Sequence, residues 1–289
     1  TTEGYRAGPP EARAAELQAL FEDDRVDAIV ATIGGSNASS LLPYLDFDAL
    51  RANPKIFCGY SDVTSLHLAM LARAGLRTFY GPAVMPSFGE WPTVLPSTLS
   101  SFLDATQRHL AGPRALVPPP QWSRHFRDIP SGAWKTEPRR MEDNPGWRVL
   151  RPGKVEAPAL VANLNTLLTT AGTDDFPEVD GHLLFLEEMN ATHAQFERNL
   201  RHLAALGVLD RAAGLVLSKP EFVGDEGAPF GLDALLLEVV GTRRLPVVVD
   251  FDAGHTVPML TLAEETHMAV DASGAFATVT VCEAMVTVG

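Results

Sequence analysis

Short apolar runs that stop abruptly at glycine or serine, each followed by helix formers, set the tightest limit on how this 289-residue chain can fold. Val26 to Ile33 carries one charge, Asp27, and ends at Gly34-Gly35. Ile56-Phe57-Cys58-Gly59-Tyr60 ends at Ser61, and Val63 to Ala74 then reads as a helix stopped by Gly75. Thr78-Phe79-Tyr80 reads as a third strand. Runs this short and apolar suit strands buried on both faces, and strands alternating with helices build a parallel sheet covered on both sides. A helix from Glu11 to Phe21, opened by Pro9-Pro10, precedes them.

The alternation resumes after Ala159, with a helix near Asn163 to Thr170 and a strand from His182 to Leu186. A helix from Ala194 to Leu206, a strand from Gly214 to Leu217, a helix from Leu232 to Val240 and a strand from Pro246 to Val249 follow. Met268 to Val270 and Ala275 to Val281 alternate around Ser273-Gly274 in hairpin fashion. The stretch between the two patterned halves holds Pro118-Pro119-Pro120, Trp122, Trp134, Trp147 and Arg139-Arg140. The expected organisation is an α/β chain with an N-terminal domain over 1–115, an aromatic-rich linker over 116–158 and a C-terminal domain over 159–289.

Charge narrows the function. The chain has 23 basic against 36 acidic residues, a formal net charge of −13, which argues against nucleic acid or an anionic membrane as partner. No apolar stretch approaches the ~20 residues that span a bilayer. Cys58 and Cys282 are too few for a disulfide framework or a four-thiolate zinc site. There is no H-E-x-x-H, and Asp250 and Asp252 beside His255 offer too few ligands for a cation. No metal or cofactor is expected. Nor does a basic leader with an apolar segment open the sequence, so a cytoplasmic enzyme or binding protein is expected.

In open α/β sheets, functional groups gather beyond the carboxyl ends of the strands. Ser61, Glu187 and His255 each follow a strand, and they are the parts of a nucleophile, orienter and base. Gly59-Tyr60-Ser61-Asp62 lies where a nucleophile elbow would sit, yet Ser61 or Asp62 also suits the plain cap of the next helix. Gly34-Gly35 suits an oxyanion donor or a tight turn, and it lacks the third glycine of a dinucleotide fingerprint and the Lys of a P-loop. Glu187 reads either as a solvated strand end or as the carboxylate partner of a histidine. His67 should point away from Ser61, and His182 sits at the wrong end of its strand, which leaves His255 as the best-placed base. A non-catalytic nucleotide- or ligand-binding module using Gly34-Gly35 stays open as the reading of another class.

Longer motifs add to these. Thr32-Ile33-Gly34-Gly35, Leu41-Leu42-Pro43-Tyr44-Leu45-Asp46, Asn53-Pro54-Lys55 and Gly59-Tyr60-Ser61-Asp62-Val63-Thr64 resemble the LD-carboxypeptidase family of serine peptidases. The likeness continues in order through Asn163-Leu164-Asn165-Thr166-Leu167, Gly172-Thr173, Leu184-Phe185-Leu186-Glu187-Glu188 and Gly254-His255. Trp134, Pro138-Arg139-Arg140 and Gly146-Trp147 look more like the microcin C immunity branch than the murein-recycling branch.

The resemblance implies a flavodoxin-like parallel-sheet N-terminal domain and a smaller mixed α/β C-terminal domain. It implies Ser61 as nucleophile, His255 as general base, Glu187 as orienting carboxylate, and the N–H groups of Gly35 and Asp62 as the oxyanion hole. Family members act on small peptides or aminoacyl-nucleotides and usually form homodimers. Gly34, Trp134 (with Trp122 as fallback), Arg139 and Arg140 become candidates for holding substrate, Trp134 by stacking on a nucleotide; an interdomain anchor and a solvated surface pair are the plainer roles. Two departures stand out. The family's usual first strand–helix–strand portion is not represented ahead of Thr1, and Val161-Ala162 replaces a glycine pair, which is expected to reshape the substrate side of the cleft.

Overall fold

A computed structural model describes residues 4–107, 112–125, 127, 131–221 and 224–286. The first strands are β1 (Ala28–Val30), β2 (Ile56–Gly59) and β3 (Phe79–Tyr80). The middle of the chain gives β4 (Arg114–Ala115), β5 (Gln121–Trp122), β6 (Glu142–Asp143), β7 (Arg148–Arg151) and the long β8 (Gly153–Asn163). Then come β9 (Leu183–Glu187), β10 (Gly214–Ser218), β11 (Val247–Phe251), β12 (Leu262–Ala263), β13 (His267–Ala272) and β14 (Thr278–Val281).

Two mixed sheets carry the fold. The first has the order β1-β2-β3-β12, parallel through β3 and closed by antiparallel β12, which the chain supplies from its far end. The second has the order β4-β14-β13-β8-β9-β10-β11-β7. Its centre, β8 to β11, is parallel, and antiparallel strands flank it on both sides. The central strands β9 and β10 are buried at every position, as their unbroken apolar sequence requires.

The stretch read as linker contributes more regular structure than its prolines suggest. Arg148–Arg151 and Gly153–Asn163 are strands of the second sheet, and Trp147 just before them is 1% exposed, packed on Phe251. Alternating half-buried and exposed residues at the start of β8 hid the strand within a polar-looking segment. Val161 and Ala162, where the family often has glycines, are buried in β8 and do not line the cleft.

Local chemistry places the helices. Thr192 and Gln195 form a reciprocal capping box that starts the helix His193–Ala205. Asn163 caps Leu164–Thr169 by accepting from the Thr166 N–H at 3.0 Å. One apolar cluster joins the two sheets through residues such as Cys58, Tyr80, Val161, Phe185, Phe251 and Met268. Two further clusters seat the helices on their sheets, one around Leu164, Leu184 and Leu200, the other around Phe21, Leu50 and Met70. The carboxyl ends of β2, β9 and β11 therefore meet across a shared core. No helix among the described residues is long and apolar enough to cross a membrane.

Candidate active site

Ser61 leaves β2 with φ +64°, a left-handed conformation that is uncommon for a side chain larger than glycine and marks stored backbone strain. The surroundings hold it there. Its N–H donates to the Tyr80 hydroxyl at 3.1 Å, and a short helical turn over Ser61–Val63 follows at once. Two glycines make room. A Cβ on Gly59 would lie 2.9 Å from the Ala31 Cβ, and one on Gly34 would lie 3.0 Å from the Ser61 Cβ and 3.3 Å from its Oγ. The main chain of Gly34 thus runs against the Ser61 side chain, and no bulkier residue fits without moving it.

Asp62 differs from its simple reading as a cap for the helix that follows. Its Oδ2 reaches back across the loop and accepts from the N–H groups of Asn37 and Ala38, both at 2.7 Å. This carboxylate fixes the start of the helical turn Ala38–Tyr44, and with it the loop bearing Gly34-Gly35.

His255 joins Ser61 across 194 residues of sequence: its Nε2 lies 3.0 Å from the Ser61 Oγ. Its Nδ1 lies 2.7 Å from the Glu187 Oε2. Glu187 is 2% exposed, and its other oxygen accepts from the Tyr80 hydroxyl at 2.6 Å and from the Asn163 Nδ2 at 2.9 Å. Gly254 permits this approach, since a Cβ there would lie 2.9 Å from the Glu187 Cβ. The Tyr60 ring meets the imidazole edge-on at 4.9 Å between centroids.

Electrostatics follow from this packing. Burial disfavours the charged imidazolium, but the charge and hydrogen bond of Glu187, with the charges of Glu221 and Glu188, outweigh it and raise the His255 pKa. Burial likewise pushes Glu187 up, and His255, Tyr80 and Asn163 together reverse that and hold its carboxyl below the usual range. Burial and the neighbouring Glu187 charge keep the Tyr80 phenol protonated, so it donates to Glu187. A hydroxyl, an imidazole and an ionised carboxylate in this order can pass a proton from Oγ to the ring and stabilise the ring's positive charge.

Ser61 and His255 open into a pocket of about 280 Å³. Gly34 and Gly35 form part of its wall, Ile33, Met85, Pro86 and Val257 give it an apolar side, and Trp134 and Arg139 stand on the linker side. Arg139 is held by Glu90 at 2.8 Å and by the His125 carbonyl at 2.8 Å; Glu90 also pairs with Arg127, a second pocket residue.

Trp122 and Arg140 are not among the residues that line this pocket. Trp122 instead packs 5.5 Å from the buried Lys219 ammonium, and Arg140 is exposed, with its main-chain N–H directed to the His125 ring. His67 does point away from Ser61, bonded to Thr78 and to the Gly59 carbonyl. Sequence reasoning missed the roles of Tyr80 and Asn163 around Glu187, and the pocket residues Arg127, Met189 and Glu221. Asn163 stands in a motif that carries the family resemblance, the one available signal; the others depend on contacts between distant segments.

The family model for the LD-carboxypeptidase N-terminal domain matches residues 1–81, and that for the C-terminal domain matches residues 156–270. A carboxypeptidase-named protein of Vibrio cholerae is 38% identical over 258 residues, 89% of this chain and 75% of its own. The microcin C7 self-immunity protein MccF of Escherichia coli is 37% identical over 275 residues, 93% of this chain and 78% of its own. A Bacillus subtilis protein named "Probable murein peptide carboxypeptidase" is 30% identical over 261 residues, 89% of this chain and 72% of its own. The solved structure of MccF in complex with aspartyl sulfamoyl adenosine superposes with a TM-score of 0.91 at 35% identity, covering 99% of this chain and 85% of that one. With both family domains matched in order and the two-sheet architecture shared throughout, this chain belongs to the LD-carboxypeptidase family and is a serine-type carboxypeptidase of the MccF-like kind.

Proposed function

We propose that the chain hydrolyses the amide bond of a peptidyl- or aminoacyl-nucleotide through an acyl-enzyme formed on Ser61. His255 takes the Ser61 proton as Oγ attacks the carbonyl carbon, and Glu187 holds the ring with Nε2 facing Oγ. The N–H groups of Gly35 and Asp62 receive the developing oxyanion; the Ser61 N–H, bonded to Tyr80, is not available for that task. The imidazolium then protonates the leaving nitrogen as the carbon–nitrogen bond breaks. A water molecule, deprotonated by His255, attacks the ester, and Ser61 recovers its proton as the acid departs.

The observation that carries this reading is the continuous contact from Ser61 through His255 to Glu187, at 3.0 and 2.7 Å, opening on a pocket. The nucleotide half of the substrate is supported by Trp134, Arg127 and Arg139 in the pocket lining, an aromatic ring and two guanidinium groups, the latter joined through Glu90. It is supported too by the MccF complexes with aspartyl sulfamoyl adenosine and glutamyl sulfamoyl guanosine. Self-immunity or detoxification by a cytoplasmic homodimer is the setting we infer from the same likeness.

Ser61→Ala is expected to fold as the wild type does and to lose turnover by about 10⁶-fold, the scale on which a serine nucleophile acts with its base. The variant should also lose labelling by a serine-directed phosphonate, whereas a ligand-binding module would show neither change. A second substrate, a murein tetrapeptide cut at its carboxyl end, is favoured by the name of the Bacillus subtilis relative. Side-by-side hydrolysis of an aminoacyl sulfamoyl adenosine and a murein tetrapeptide separates the two; faster turnover of the tetrapeptide overturns the nucleotide reading.

A further inference from the structure

Among the described residues Glu221 is the one acidic side chain lining the pocket, and it is 8% exposed. Its main chain is fixed: the Glu221 carbonyl accepts from the Asn190 N–H at 2.9 Å, and Met189 and Glu221 form a parallel bridge. This ties it beside the segment that leaves β9 after Glu187, three residues past the end of β10. Its carboxylate, by contrast, has no hydrogen-bond or ion-pair partner among the described residues and faces the pocket. The nearby guanidinium groups are committed elsewhere, Arg139 to Glu90 and the His125 carbonyl, Arg127 to Glu90 and the Glu137 carbonyl.

A carboxylate that faces a pocket and has no protein donor is free to accept from a ligand's donors when the pocket is filled and its water displaced. Burial raises the Glu221 pKa, against the attraction of His255 and Arg139. The pocket thus carries both signs of charge, guanidinium groups already held by Glu90 and a carboxylate that feels the charges of His255 and Arg139.

We propose that Glu221 is a specificity residue that binds a primary ammonium group on the acyl residue of the substrate. The inference rests on the hydrolytic reading above and adds to it the charge that the acyl side must carry. In an aminoacyl-nucleotide the ammonium is the free α-amino group, one carbon from the scissile carbonyl; in a murein peptide it is the side-chain amine of a diamino acid. Either form supplies the N–H donors that the carboxylate lacks, and the charge-assisted contact forms away from water.

The test crosses one substitution with one chemical change in the substrate. Glu221→Gln and wild-type protein are assayed on aminoacyl sulfamoyl adenosine and on its α-N-acetyl counterpart. A second arm uses a tetrapeptide whose acyl residue is a diamino acid, with its side-chain amine free or acetylated. The expected result is a drop in kcat/KM on the free amine that exceeds the drop on its acetylated partner by about 10- to 100-fold, both read at the pH plateau because Glu221 also contributes to the His255 pKa. The arm that shows the difference identifies which ammonium is bound.

Equal losses on free and acetylated substrates overturn the proposal, because a residue that only tunes His255 or packs the loop would affect both alike. Binding of the same four compounds to Ser61→Ala and Ser61→Ala/Glu221→Gln protein is measured by calorimetry in parallel. Glu221-dependent binding without wild-type turnover sinks the hydrolytic reading and keeps the ammonium site. Turnover without Glu221 dependence does the reverse, and failure of every free amine to bind also overturns the site.

Discussion

One phenol oxygen, that of Tyr80, donates to Glu187 at 2.6 Å and accepts from the Ser61 N–H at 3.1 Å, so it touches both ends of the relay at once. Tyr80→Phe keeps the ring and removes both bonds. Its effect should fall on kcat, about tenfold or more, with KM little changed, since a lost hydrogen bond to a buried charge is worth ~1.5–3 kcal/mol. Steady-state kinetics across pH checks it. Glu187→Gln tests a different property. Glu187 is the main group raising the His255 pKa against burial, so without its charge that pKa falls. The imidazole acts as base only when neutral, and the acidic limb of the kcat/KM profile should therefore move to lower pH. The maximal rate should drop by about 10⁴-fold, as when a serine hydrolase loses its orienting carboxylate. The sequence singles out Ser61, Glu187 and His255 because each follows a strand end and each falls in a family motif, and the structure brings the three into contact. It does not single out Tyr80 or Glu221. Tyr80 reads as one more apolar strand residue, and what its hydroxyl meets is decided 107 residues away. Glu221 falls in no motif, and its place on the pocket wall depends on the bridge to Met189 and the Asn190 N–H, both from the segment after β9.

Among the elements, the helical segment after Ser61 shows where pattern and structure part. Val63 to Ala74 reads as a single helix, yet the structure has α-helix only over Thr64–Ala69, then a wider turn over Met70–Ala74 that ends on Gly75 at φ +64°. Gly75 was a sound stop signal, because the left-handed cap needs no Cβ there. Every residue from Thr64 to Met70 is buried, so no amphipathic stripe marks where the helix changes. His67 lies in this segment, fully buried between Thr78 and the Gly59 carbonyl, and burial lowers its pKa to about 4. A proton therefore binds the unfolded chain more readily than the folded one. The neutral ring's contribution is complete above the unfolded value of 6.5 and is lost as pH falls towards 4, about 3 kcal/mol in all. His67→Gln cannot titrate there, so the stability gap between it and the wild type should narrow over that interval, measured by urea unfolding at a series of pH values.

At the scale of the molecule, one buried network braces the segment that carries His255. Asp252, fully buried, accepts from the Lys219 ammonium at 2.7 Å, the Trp147 indole at 2.8 Å and the Asn144 amide. Lys219 also donates to the Asp250 carbonyl at 2.5 Å, and the Ser218 hydroxyl donates to the Ala253 carbonyl at 2.5 Å. The end of β10 and the approach to β7 thereby hold the loop that ends in His255. Asp252→Ala would strand a charged lysine in the core, and chemical denaturation should show a loss of about 3–5 kcal/mol. This brace was invisible in the sequence, where Asp250 and Asp252 stood out only as poor metal ligands and Trp147 as a linker anchor.

The far-end strand β12, lying against β3, makes the first sheet depend on a distant part of the chain. A fragment that stopped short of residue 262 would leave the β3 edge bare, so the N-terminal strands are not a unit that can be cut away and kept intact.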